Sequence, residues 1–297
     1  MNNLRIKILA IVIIFLIGAL VFNQKFQISQ KKPQQDFYQI YQSAVNQVLP
    51  EQGFKTDIIF GDSMKILVES GVIDLKKFEN LYKTRGGISD DMLKILTNGS
   101  SEQIVINDKT APVYLNLFWA IGLSNKTKFN EQSPINGKDL YGFASTGGWN
   151  LGKEENGGAY FNKIEVIRLT SEQEKLVLEV AQNTFRPCCD NSTFFQDCNH
   201  GSALLGALEL AASQGYSREQ LYQLSLQLNS FWFSDNYIKT ALYFKVFENK
   251  DFNRVDPKEI MSFKYSSASG WMENVDKKLQ SIQQLKSQNS GINCGTR

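Results

Sequence analysis

Histidine is almost missing from this chain: one residue in 297, His200. With one histidine and no Gly-x-Ser-x-Gly, the sequence gives little support to a serine-hydrolase triad. Charge of one sign is also missing. The 32 basic and 30 acidic residues leave a net charge of +2, with no run of five like charges, so neither a nucleic-acid footprint nor a charged interaction tail is present. Gly-x-Gly-x-x-Gly and Gly-x4-Gly-Lys-Ser/Thr are both absent, which leaves a nucleotide-phosphate loop without support. Cys-x-x-Cys-His is absent, which removes covalent haem attachment. The carboxylate pairs Asp90-Asp91 and Glu154-Glu155 are adjacent, and neighbours in sequence do not converge on one substrate.

What the chain has is an ordinary globular balance, 42% hydrophobic and 21% charged, with 20 Phe and 11 Tyr to build a core. The exception is the start. Arg5 and Lys7 precede an uncharged apolar run from Ile8 to Phe22, and polar residues follow at once. Counted from Leu4, with the two cations reaching the interface, this run attains the length of a spanning helix. It ends on bulky residues rather than a small-x-small cleavage site, although a cleaved signal peptide is the alternative. The expectation is a single-pass membrane protein. Residues 1–23 form the anchor, 24–36 a Gln/Lys-rich linker, 37–290 an extracytoplasmic domain and 291–297 a tail. The positive-inside bias places the domain outside the cytoplasm.

Helical spacing dominates after residue 37. A helix fits Phe37 to Leu49, and three short helices fit 61–97, the second capped by Asp74 and the third by Ser89. A β-like piece, Ile104–Ile106, precedes a helix from Ala111 to Leu123 that is apolar nearly all round and reads as central and buried. Residues 124–163 are irregular, with seven glycines among aromatics, and read as an ordered loop packed by its own side chains. Ile164–Leu169 suits a strand, and Thr170/Ser171 cap a helix to about Asn183. Helices then fit 201–214, 217–228, 234–248 and 269–287. The fold class is mainly α: a single helical globular domain with a long Gly/aromatic loop, preceded by one transmembrane helix.

The chemistry gathers in thirteen residues. Cys188, Cys189, Cys198 and His200 hold three of the four cysteines and the lone histidine. Thiolate and imidazole suit soft ions, and the set matches a Cys3His site in number, which points to copper or zinc. The spacing departs from the usual Cys-x2–4-Cys opening. Cys198 lies just before a helix, where unpaired amides and the helix dipole favour a thiolate, with Asp197 or Asn199 as cap. Two other readings use the same residues. Four cysteines outside the cytoplasm can form two disulfides, one engaging Cys294 in the tail. Alternatively, Cys188 or Cys189 cycles with Cys198 in thiol–disulfide exchange. The stretch Tyr141–Gly152 offers a surface for a small ligand or protein, with Trp149 available to stack on a ring or to cover the cysteines.

Overall fold

The computed structural model describes residues 37–83 and 85–281; the apolar run at 8–22 and Cys294 lie outside them. Mainly α is what it shows. Helix α1 covers 37–48 and strand β1 Phe54–Gly61. The three short helices are α2 (Ser63–Glu69), α3 (Leu75–Lys83) and α4 (Asp90–Asn98). The Ser89 hydroxyl caps α4 by accepting from Met92 N, and the Asp74 carboxylate accepts from Lys77 N at the start of α3. Among the described residues no helix is long and apolar enough to cross a membrane.

Strand β2 (Ser100–Ile106) pairs antiparallel with β1, Phe54 opposite Ile106 and Gly61 opposite Ser100. The expected β-like piece is the end of β2. Its partner β1 went unforeseen, although Thr56, Ile58 and Phe60 alternate inward as a half-buried strand should. The free edge of β1 is closed by side chains. Tyr216 and Gln214 accept from the Asp57 and Ile59 amides, and Gln214 donates to the Ile59 carbonyl.

Four long helices form the centre: α5 (Ala111–Ser124), α7 (Asn199–Ser213), α8 (Arg218–Trp232) and α9 (Ser234–Glu248), with α6 (Ser171–Asn183) packed on α7 and α8. Capping boxes at Thr170/Gln173 and Ser217/Gln220 start α6 and α8. The α5–α7 crossing is very close. A Cβ on Gly122 would lie 1.9 Å from the Ser202 carbonyl oxygen, and one on Gly206 would lie 2.2 Å from that of Phe118. Ala203, Ala207 and Ala211 are buried, as their small-residue spacing suggests, but it is Gly122 and Gly206 that let the two backbones touch.

One expectation fails for an identifiable reason. Ile164–Leu169 is not a strand and makes only an isolated bridge from Ile164 to Asn125. The buried Asn125 amide oxygen accepts from both Val166 and Ile167, which takes the N–H groups a ladder would need. Short turns α10 (Pro257–Ile260) and α11 (Phe263–Ser266) precede the final helix, which starts where expected: α12 (Ala268–Trp271) runs through a π turn at Met272–Asp276 into α13 (Lys277–Gln280), and 282–287 lie outside the described residues.

Inside this core sits one acidic side chain of α7, Glu209, fully buried. Asn125 donates to its Oε2 at 3.1 Å, and Oε1 has no partner among the described residues. Burial pushes this carboxyl well above its usual range, partly offset by Asn125. The folded state therefore holds the proton more tightly than the unfolded state. The stability this contributes is complete below the ordinary value of 4.5 and is lost as pH rises through the folded-state value. Glu209→Gln, which mimics the neutral acid, should flatten the fall in stability by up to about 1.4 kcal/mol per pH unit across that window. Thermal unfolding from acid to alkaline pH checks this; parallel curves for variant and wild type would contradict it.

Candidate metal centre

Arg186 organises the site. Between α6 and α7 the chain runs as an ordered loop, residues 184–198, folded back on α6. Phe194 N donates to the Ala181 carbonyl, Thr193 N to that of Thr184, and the Thr184 and Thr193 hydroxyls bond at 2.9 Å. The interior of the loop is filled by the Arg186 side chain, which is fully buried. Nε donates to Cys198 Sγ at 3.1 Å. Nη1 donates to the Asn191 and Ser192 carbonyls at 3.0 and 2.9 Å. Nη2 donates to the Phe195 carbonyl at 3.1 Å and to the Asp197 carboxylate. A guanidinium has five N–H donors, and these contacts use all of them. The guanidinium lies against the first turn of α7 where Gly201 has no side chain; a Cβ there would sit 2.6 Å from Nη2.

The loop is tied down on every side. Asp197 Oδ2 accepts from Asn191 Nδ2 at 2.8 Å. Ser202 donates to Gln196 Oε1, and Gln196 donates on to buried Asn130. Ala268 N donates to the Cys189 carbonyl, and Ser269 N to Asp190 at 2.7 Å. The Gly/aromatic loop docks alongside, with Ser145 N on the Asp197 carbonyl and Phe143 edge-on to Phe195 at 5.9 Å.

The three thiols converge here as free cysteines; Cys188 Sγ lies 3.7 Å from Cys198 Sγ, beyond disulfide bonding. Cys198 itself is the N-cap of α7, its Sγ accepting from Gly201 N at 3.4 Å, so neither Asp197 nor Asn199 takes the role the sequence suggested. His200 is in the first turn, its ring 4.5 Å from that of Phe233 and 5.9 Å from that of Trp232. Two trios of ligand atoms each fall within 4.8 Å: Cys188, Cys198 and His200, and Cys189, Asp197 and Cys198. The cluster is thus able to hold a metal. Trp149 does not line it: fully buried, it donates to the Val72 carbonyl and meets Trp119 edge-on. The exposed aromatic of that loop is Tyr141.

Charge follows geometry. Hydrogen bonds from Cys188 and Cys189, then from His200, and the Arg186 charge hold the Cys198 thiol well below the usual range. Hydrogen bonds with Cys189, then Cys198, push the Cys188 thiol far up. Cys189 is also raised, its bond to Cys188 being outweighed by Cys198 and burial. Burial opposes the charge of Arg186, but the thiols around it outweigh that and raise its pKa. The site therefore keeps one thiolate ready, on the sulfur that a cation and a helix N-terminus both face.

Arg186 was not among the residues the sequence singled out. The available signal was its isolation: it is the only Lys or Arg between Lys175 and Arg218, and it stands two residues from Cys188. Arg186→Gln should move the pH midpoint of Cys198 alkylation upward, toward an ordinary thiol. Iodoacetamide trapping read by peptide mass spectrometry checks this, and an unmoved midpoint would contradict the role. The chain matches no protein-family model, no curated protein and no solved structure, so its reading rests on this geometry.

Proposed function

We propose that this is a membrane-anchored, extracytoplasmic protein that binds a soft metal ion, copper or zinc, through Cys188, Cys189, Cys198 and His200. The observation that carries the reading is the 3.7 Å between the Cys188 and Cys198 sulfurs, with His200 within reach of both. Two bonds of about 2.3 Å to one ion, at tetrahedral or trigonal angles, set sulfurs about 3.8–4.0 Å apart. The pair is spaced for an ion, with a thiolate already favoured on Cys198.

The chemistry of the surroundings supports the same reading. A metal thiolate concentrates negative charge, and Arg186 and Gly201 N both donate to Cys198. Such donors steady a ligand and tune its basicity. The membrane placement rests on the cations at Arg5 and Lys7 before the apolar run to Phe22. The loop 141–152, which touches the cysteine segment, is the proposed contact surface for a small ligand or protein, through exposed Tyr141.

Thiol–disulfide exchange is the second reading, favoured by the pairing of a low-pKa Cys198 with exposed Cys188. Metal analysis separates the two. The whole chain, purified without chelator or metal-binding tag, should carry at least about one equivalent of copper or zinc, and a Cys198→Ser, His200→Ala double variant should lose it. A double variant that keeps full stoichiometry, with unchanged helical content, would defeat the metal reading. For the placement, protease added to right-side-out membrane vesicles should digest the domain, and complete protection would contradict it.

A further inference from the structure

Building on that metal reading, we infer that the cluster takes two copper(I) ions sharing the Cys198 thiolate, rather than one ion held by all four side chains. Cys188 and Cys189 are neighbours in sequence, yet they belong to different trios, one with Cys198 and His200, the other with Asp197 and Cys198. Cys198 is the sole residue common to both. Cys189 and His200 share no trio, so the geometry does not assemble a four-ligand cage around one point.

The second trio is smaller than it looks. Both Asp197 oxygens are already engaged, one by Arg186 and the other by Asn191 Nδ2. Freeing Oδ1 would strip the buried guanidinium of its carboxylate, a costly step, and freeing Oδ2 would leave Asn191 Nδ2 without its acceptor. That leaves Cys189 and Cys198, two thiolates and nothing more. The first trio offers two sulfurs and one imidazole. Zinc in protein sites takes four ligands, at least three of them from the protein. Copper(I), a closed-shell soft ion, accepts two or three, and thiolate is its preferred donor. The Cys189–Cys198 half is thus short of ligands for zinc, whereas both halves are sufficient for copper(I).

A thiolate sulfur has lone pairs enough to bridge, and Cys198 is the sulfur positioned to do so. Three thiolates against two monovalent ions leave one negative charge, and the Arg186 Nε–H points at the bridging sulfur from 3.1 Å. Exposed Cys188 provides the side from which ions enter and leave.

Anaerobic titration of the whole chain with copper(I) against a competing chelator, read by native mass spectrometry, tests the assignment. The wild type should fill to about two ions per chain, and Cys189→Ser to about one, with the remaining ion retained at similar affinity. His200→Ala should weaken one ion and spare the other. One ion in the wild type, weakened alike by Cys189→Ser and His200→Ala, would overturn the shared-thiolate site and leave the metal reading intact. No ion at all would overturn both. Cys198→Ser should bind none, but it also removes the α7 cap, so Cys189→Ser and His200→Ala are the deciding variants.

Discussion

A buried guanidinium with every donor used is the constraint on which the rest of the site depends. Arg186 collects three loop carbonyls, a carboxylate and a thiol, and thereby dictates the path of residues 186–198. Removing one partner of a buried ion pair usually costs about 3–5 kcal/mol, because the other charge is left stranded. The loop is therefore rigid for an electrostatic reason rather than through regular secondary structure. Cys188 and Cys189 project from it, and Cys198 ends it at the first turn of α7.

The helical core provides the other half of that rigidity. α7 carries Cys198 and His200 at its start, and it is locked to α5 through Gly122 and Gly206, where any side chain would collide with backbone. Its far end clamps the edge of β1 through Gln214 and Tyr216. A helix held along its whole length can present two ligands from one end without drifting, which is what a preorganised metal site needs. The buried Glu209 carboxyl, about two and a half turns from His200 along α7, fits the same picture: burial there favours the neutral form of the acid.

Much of this was legible in the residues. Caps at Asp74, Ser89 and Thr170 announced helix starts because a side-chain oxygen answering a free amide is a local event. The all-apolar run of α5 announced burial. Legibility ended where long-range partners decide. β1 needed β2 beyond three intervening helices. Ile164–Leu169 lost its strand to the amide of Asn125, some forty residues away. The ligand types at the centre were plain, but their division into two trios was not, since side-chain direction in a loop is set by Arg186 and not by spacing. That Cys198 would cap its own helix was hidden for a related reason, sulfur being an uncommon cap beside Asp and Asn.

X-ray absorption at the edge of the metal carried by the purified whole chain puts the central claim to its most direct test. The account predicts a first shell dominated by sulfur, with metal–sulfur distances of about 2.2–2.3 Å, together with the outer-shell scattering of one imidazole that vanishes in His200→Ala. A first shell made only of oxygen and nitrogen would contradict it, because the three thiols gathered around Arg186 would then have no part in holding the ion.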